Sequence, residues 1–554
     1  MERTVVYMLG KAGTGVAQRK AITWLQFSRF LSRMFYIVWF LSFSVLFYHT
    51  VKMYHRMRTI LLAAVILYAL GIGTLLVFRQ FVDALSDRGI NIFILCIMIL
   101  MMLLLVKFGF VMCVPPFNDT GTAYYSAAEV LQNGHISTEV NAYTSCNWAT
   151  HTSNHDYFLI YPNNTFLVFY QVCYYKLLSL FTPVDMYAES GYRAAVVLNA
   201  ISITLAAGFG AVIAKKCKGN CAAVLYILSS AMFIPYYLHA YKAYSDTLSM
   251  PYITGAILCF ILARKKDEKN QIDPYKMLLA GALLTLGILI KGSVLVVLVA
   301  LPIYIFLQDH PIKKKLLYMA VPVLEVVVLI SAWSFYMDHC SWLNTERADE
   351  YEFPSMHWIM MASIGSGDYR QSDFDYTQSF PTLEQRKEAD TEEFLRRVSS
   401  YGSAANYLRF EVKKIAAVLA DGIYAQSSHL KMTFSKVPWL EDWVTSDGTY
   451  YKLFYAYITI FITAFYLAFL AGAILGIIKA PTHESTLWHI ILFGVLLFFA
   501  FWEFKSRYLL NFVPVFFLIL IFSLVDVSEF LTEGLSRVKN FLKKERSKQT
   551  VTAQ

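Results

Sequence analysis

Charged residues are scarce in this chain. Asp, Glu, Lys and Arg make up 16% of its 554 residues, where a soluble protein carries roughly a quarter. With 57% hydrophobic residues and a mean hydropathy of +0.48, that scarcity excludes a soluble globular protein and implies a polytopic membrane protein. Paired cysteines are missing too. The eight cysteines contain no CxxC pair and no metal-ligand spacing, which leaves no basis for a zinc ribbon or a thioredoxin-like redox centre. Most lie in apolar runs as small buried hydrophobes, and no pairing follows for Cys113, Cys146 or Cys340, which the loop charges place outside. The opening "MERTVVYMLGKAGTGVAQRK" lacks a short apolar core with a cleavage site, so the first span is expected to direct insertion. Internal repeats and clear mid-span ionisable residues are also absent, which weighs against a repeat-built transporter.

The net charge of +9 does not point to nucleic acid. Lys and Arg gather beside apolar segments, as "KKCKG" at 215, "RKKDEK" at 264, "KKK" at 313 and the tail "RVKNFLKKERSK". Such clusters mark cytoplasmic loops and attract anionic membrane lipids. Roughly twenty apolar residues cross a bilayer core. Candidate spans fall at 32–51, 60–79, 92–114, 192–214, 221–239, 246–263, 276–290, 292–308, 316–335, 453–478, 487–503 and 508–526. The stretch 163–181 is apolar as well. Between Lys107 and Lys176 there is no Lys or Arg, so the loop after the third span is outside, while "KKCKG" is inside. Residues 192–214 already make that crossing, so 163–181 reads as an interfacial or re-entrant helix, which its tyrosines, Gln171 and Lys176 suit. The expected fold is an all-α polytopic bundle of about 12 transmembrane helices, both ends cytoplasmic, with juxtamembrane helices and a large loop on the outer face. One loop resists. "VKMYHRMR" at 52–59 falls outside despite Lys52, Arg56 and Arg58, unless the first two segments form an interfacial hairpin.

Ionisable groups near the hydrocarbon edge usually have a functional or pairing reason. Five outer places carry them: Asp119; "HDYFLIYPNN" with Asp156, Tyr161, Asn163 and Asn164; "YKAYSD" with Asp246; "LIKGS" with Lys291; and "FWEFKSRYL" with Glu503, Lys505 and Arg507. Carboxylates and cations thus converge on one face from loops far apart in sequence. That pattern suits a general base beside an anion-holding pocket, whereas a channel favours a ring of similar groups. Plainer readings stand beside each residue. Asp119 and Asp246 equally suit helix caps. Lys291 suits a lysine snorkelling to the interface, and Lys505 and Arg507 suit ordinary interface anchors. His135, His151 and His155 read as solvated loop histidines rather than a metal cluster. Two N-x-[ST] sequons, Asn118-Asp119-Thr120 and Asn163-Asn164-Thr165, fall inside these stretches, where a glycan would block the mouth; they read as coincidence and as a sign of a bacterial chain.

In order and sidedness these residues resemble the GT-C superfamily of membrane glycosyltransferases, which includes the protein O-mannosyltransferases and the lipid A aminoarabinosyltransferase. The shared pattern is an acid early in the first outer loop, a surface helix, a Ser-Asp at an outer span end, a Lys in a short hairpin and a late "SRYLL..FVP". The likeness is closer to the large Gram-positive members, through Tyr161–Asn164, Tyr244–Asp246, His357-Trp358 with Met360-Met361, and Trp443 with Asp447-Gly448-Thr449-Tyr450-Tyr451. It covers about residues 90–526 and implies a division of the chain. Residues 1–91 hold a cytoplasmic segment and two spans, and 92–336 a catalytic transmembrane module with the loop 115–162 and helix 163–181. A large extracellular loop (337–451), C-terminal spans (452–527) and a basic tail (528–554) follow.

The resemblance implies transfer of a sugar from a polyprenyl-phosphate carrier to a saccharide or protein hydroxyl at the outer face of the cell membrane. Asp119 matches the superfamily's catalytic acid and would deprotonate the acceptor, with inversion and an anionic leaving group that needs no proton. Lys291 and Arg507 would hold the phosphate. Tyr124, Asp156, Tyr161, Asn163, Asn164, Asp246, His357 and Glu503 would line the sugar or acceptor pocket. The lysine-proline pair of the aminoarabinosyltransferase is missing, and "YPNN" occupies that region. Some members use a divalent cation, but no ligand set for one stands out here. Two other readings share the hydrophobicity and outer cations: a flippase for lipid-linked saccharides, and a polysaccharide polymerase or ligase.

Overall fold

A computed structural model describes residues 15–263, 273–308, 312–479 and 484–552. The basic cluster at 264 lies outside the described residues. Within them the fold is all-α, with no strand. Eight helices are long and apolar enough to cross a membrane: Gln26–Lys52, Met57–Asp83, Asp87–Val111, Glu189–Lys218, Ser245–Ala263, Ile312–His339, Tyr451–Lys479 and Ser506–Leu542. The other four expected spans are the shorter apolar helices Asn220–Ala231, Pro274–Ile290, Gly292–Leu307 and Ser485–Phe501.

Local chemistry sets where these helices stop. Asp273 caps Pro274–Ile290 by accepting from Tyr275 N and Lys276 N, with proline in the first turn. At the other end Lys291 is extended (φ −152°, ψ 109°) and Gly292 follows, so the helix ends after 17 residues. At 1.5 Å per residue that is about 25 Å, short of a bilayer core of roughly 30 Å. The lost length lets a lysine sit at the helix break. The stretch 221–239 is broken likewise, ending at Ala231 and restarting as Ile234–Leu238 around Pro235.

Burial sorts the bundle into centre and rim. The apolar window of Ser506–Leu542 is 94% buried, against 17–28% for Gln26–Lys52, Met57–Asp83, Asp87–Val111 and Ile312–His339. The first is therefore the central helix and the others form the lipid-facing perimeter. The 163–181 stretch folds as a turn at Pro162–Asn164 and a 14-residue helix, Thr165–Leu178, followed by exposed Leu180 and Phe181. It is too short to cross a bilayer.

The loop at 52–59 finds its place through its neighbours. Thr50 Oγ1 donates to Ala416 O (3.4 Å), while Asp83, at the far end of Met57–Asp83, accepts from Cys221 N (2.8 Å). Arg79 meets Glu529 at that same far end. The first two helices therefore run end to end through the bundle rather than forming an interfacial hairpin, and residues 52–57 lie with the large loop.

One expectation fails. Glu325 stands in the middle of Ile312–His339, its Oε2 buried, without a hydrogen-bond partner among the described residues and pressed toward Gly281 of the neighbouring helix. A glycine at 281 leaves the room this carboxyl needs, so the apolar run at 316–335 carries a mid-span acid after all.

The 337–450 segment folds into short helices over one end of the bundle. Arg397 pairs with buried Asp373 (2.8 Å), which also takes Arg370 (2.9 Å). Lys414 Nζ donates to Ala500 O (2.8 Å) and Phe504 N to Gly367 O (2.9 Å), tying this cap to the last two spans. Gly367 supplies the positive φ (74°) that the latter approach requires.

Candidate active site

Four segments meet beneath that cap: the start of helix Asn118–Asn133, the Tyr157–Asn164 turn, the Lys291 break and residues 503–508. Asp119 lies in the first turn of its helix but caps nothing, since the N-cap residue is Phe117 and no side chain caps there. Its carboxylate instead accepts from Arg507 Nη2 (3.2 Å) on Oδ2, and from Tyr157 Oη (3.1 Å) and Cys146 Sγ (3.6 Å) on Oδ1. Asn164 Nδ2 donates to Tyr157 Oη (3.0 Å), so a hydrogen-bond chain orients the acid. Asn118 before it holds a left-handed backbone (φ 52°), which asparagine tolerates better than most residues.

The Asp246 capping reading falls in the same way. Tyr244 is the N-cap residue there, without a side-chain cap, and buried Asp246 takes Lys291 Nζ at 2.6 Å. Lys291 lies over the Tyr508 ring (4.8 Å), and Arg507 lies between the Tyr244 and Tyr508 rings, 5.3 Å from each. Tyr508 Oη donates to Glu503 Oε2 (2.9 Å). The Arg507 Nε is buried and donates to nothing among the described residues.

Two cavities share this junction. One, of about 570 Å³, lies under the cap and is lined by Asp119, Trp148, Tyr369, Asp421, His429 and Lys505 among others. The second, about 390 Å³, is lined by Asn163, Asn164, Lys291, Ser293 and the aromatic wall Phe498, Phe499 and Trp502 at the end of a span. Asp119, Tyr157, Tyr161, Trp358, Glu503, Arg507 and Tyr508 border both.

The two junction carboxyls are driven apart. Burial opposes ionisation of Asp119, but Arg507, Lys242 and Lys505 outweigh it and hold the carboxyl below the ordinary range. Burial instead prevails at Glu503 and raises it. Burial also pushes the Tyr157 and Tyr161 hydroxyls well up, keeping them protonated donors. Asp119 therefore stands as an ionised base facing a cavity while Glu503 resists ionisation, a division suited to proton transfer. The neighbours of Asp119 are a guanidinium, a phenol and a thiol, and no cluster of three His, Cys, Asp or Glu forms among the described residues.

Seven of the residues expected from sequence gather here: Asp119, Tyr161, Asn163, Asn164, Lys291, Glu503 and Arg507, with Asp246 behind Lys291. Three are elsewhere. Tyr124 points into a tyrosine cluster and donates to Met186 O (2.7 Å). Asp156 faces His155 (2.9 Å) on the other side of its helix. His357 is fully buried against Thr377 (2.7 Å), which donates to Asp390 (2.6 Å) inside the cap.

Other site residues went unforeseen. Tyr157 had a signal, since it stands four residues before Tyr161 on one helix face, their rings 4.7 Å apart. Lys242 had a weaker one, three residues before Ser245-Asp246; it is 7% exposed, and burial followed by repulsion from Arg507 brings its amine down to about 7. Trp148, Tyr369 and His429 had none.

The fold and site define a helical membrane protein with a buried, charged, two-chambered cavity at one end of its bundle. The chain belongs to the family described as conserved hypothetical integral membrane protein, matched over residues 16–527. No curated protein matches it. Among solved structures it is similar to ArnT from Cupriavidus metallidurans in the apo state (15% identity, 77% of each chain, TM-score 0.33). It is similar also to ArnT from the same organism bound to undecaprenyl phosphate (14%, 78% of each chain, 0.32). A third likeness is to the archaeal oligosaccharyltransferase AglB from Archaeoglobus fulgidus in complex with an inhibitory peptide and a dolichol-phosphate (13%, 81% of this chain and 52% of that one, 0.41).

Proposed function

We propose that this protein is a GT-C-type glycosyltransferase that moves a sugar from a polyprenyl-phosphate donor to an acceptor hydroxyl at the outer face of the membrane. One geometric observation carries this reading: two cavities of different chemistry meet at a single ionised carboxylate beside a buried guanidinium. The chamber with Lys291, Ser293 and the Phe498–Trp502 wall suits a phosphate on an apolar tail. The unpartnered Arg507 Nε and the Lys291 ammonium are the cations for that anion. The chamber under the cap receives the acceptor.

In the reaction, Asp119 takes the acceptor's hydroxyl proton as that oxygen bonds the anomeric carbon. The bond from that carbon to phosphate breaks, and the electron pair leaves on polyprenyl phosphate, which needs no proton. Tyr157 and Arg507 hold Asp119 in line until attack. With the acceptor oxygen attacking opposite the departing phosphate, the configuration at the anomeric carbon inverts.

A flippase has one observation in its favour, the mid-span carboxyl of Glu325. The two readings separate in a test on purified protein with a panel of polyprenyl-phosphate sugars and wall extract. Release of free polyprenyl phosphate by wild type, and at least about 100-fold less by Asp119→Asn, is the expected result. Release from no donor removes the transferase reading; equal release by both proteins moves the base away from Asp119.

A further inference from the structure

Trp148 is anomalous. It lines the 570 Å³ chamber, is 62% exposed and, among the described residues, stacks on no other aromatic ring. A large ring at the mouth of a polar cavity, beside further rings, offers a platform on which a flat apolar face can stack. It is not a loose surface residue. Its one-turn helix Asn147–Thr150 is held from the cap by Gln371 Nε2, which donates to Ala149 O (2.7 Å), and by Gln378 Nε2, which donates to Thr150 O (3.4 Å). Tyr161, Trp358 and Tyr369 supply further rings to the same chamber.

Hydrogen-bonding groups surround these rings. Asp119, Asp368, Asp421 and Glu503 bring carboxylates, and the cations are already engaged. Arg507 binds Asp119 (3.2 Å), and Lys505 lies 3.9 Å from Glu503 and over the Tyr369 ring. The His429 ring is kept neutral, since burial and then Lys242 bring it down to about 3. An anionic acceptor would face Asp368 and Asp421, acids of the chamber that no described cation pairs. A peptide bound by strand addition would need a sheet edge, and no strand forms among the described residues. Flat apolar faces of sugar rings match the aromatic platforms, and sugar hydroxyls match the carboxylates.

We propose that the chamber under the cap is a neutral-saccharide site with Trp148 as its stacking platform, so that the acceptor is a neutral glycan. This rests on the transferase reading for the word acceptor, but the site itself is testable without donor or turnover. Purified full-length protein is titrated by calorimetry with chitotetraose, laminaritetraose, mannotetraose, poly(glycerol phosphate) and a neutral Ser/Thr-rich peptide. The expected result is saturable binding of at least one neutral oligosaccharide, weakened tenfold or more in Trp148→Ala and largely restored in Trp148→Phe. Trp439→Ala, at another exposed tryptophan, away from the chamber (51% exposed), leaves binding unchanged. Binding of none of the oligosaccharides, binding of only the polyanion or the peptide, or oligosaccharide binding indifferent to Trp148→Ala overturns the proposal. Saccharide binding without any sugar transfer would uphold it while removing the function proposed above.

Discussion

The two chambers differ more in what their cations are doing than in size. In the chamber bounded by Phe498, Phe499 and Trp502, Lys291 shares its charge with one buried carboxylate and Arg507 keeps a free Nε. Under the cap the cation not shared with the other chamber is Lys505, which lies near Glu503, and Asp368 and Asp421 add acids that no described cation pairs. On the proposed reading, one wall separates a place for an anion from a place for hydroxyl groups. Buried cations are retained at such sites because an anionic partner restores the interactions that water supplied.

That contrast can be broken most severely at the junction. Asp119→Asn should reduce transfer by about 100-fold or more with donor binding kept, measured as kcat against KM for the lipid donor. Arg507→Lys replaces a planar fork with a point charge; losing one charged hydrogen bond predicts a drop of about tenfold to a hundredfold in kcat/KM. Lys291→Gln should sharpen the comparison, raising KM for the lipid donor several-fold while leaving KM for the acceptor unchanged. An equal rise in both would erase the distinction between the chambers.

Smaller effects test the electrostatics. Lys242→Met removes one of the cations that hold Asp119 ionised. Its carboxyl then titrates at higher pH, so the acid limb of the pH–rate profile should shift upward while the rate at neutral pH changes little. Least of all should Asp156→Asn alter transfer, because its partner is His155. His357→Gln should lower thermal stability by a few degrees through the Thr377–Asp390 network, with both KM values retained.

The helices and most of the junction were legible in the sequence because bilayer physics leaves apolar length and charged edges as strong signals. All twelve apolar stretches are helical, and the interruptions at Lys291 and Pro235 follow from residue types visible beforehand. Motif order did not report which side of a short helix faces inward. Asp156 and Tyr157 are adjacent, yet the tyrosine reaches Asp119 and the acid turns to His155. Nor could spacing reveal Trp148, whose place depends on Gln371 and Gln378 more than two hundred residues later. Glu325 was hidden for a related reason: one acid in a long apolar helix hardly lowers its mean hydropathy, and the glycine that accommodates it lies on another helix.

The left-handed backbone at Asn118 changes what the Asn118-Asp119-Thr120 triplet means. Asparagine suits that position because few side chains accept that conformation, aspartate is the base of the proposed transfer, and Thr120 is buried behind them. Three separate demands thus spell an N-glycosylation signal that none of them calls for. If the gene were expressed in a host with a glycosylating secretory pathway, a glycan on Asn118 would enter the chamber its side chain lines. Loss of activity in such a host would then reflect an obstructed cavity in a correctly folded chain, and Thr120→Ala would be the substitution to try before any refolding.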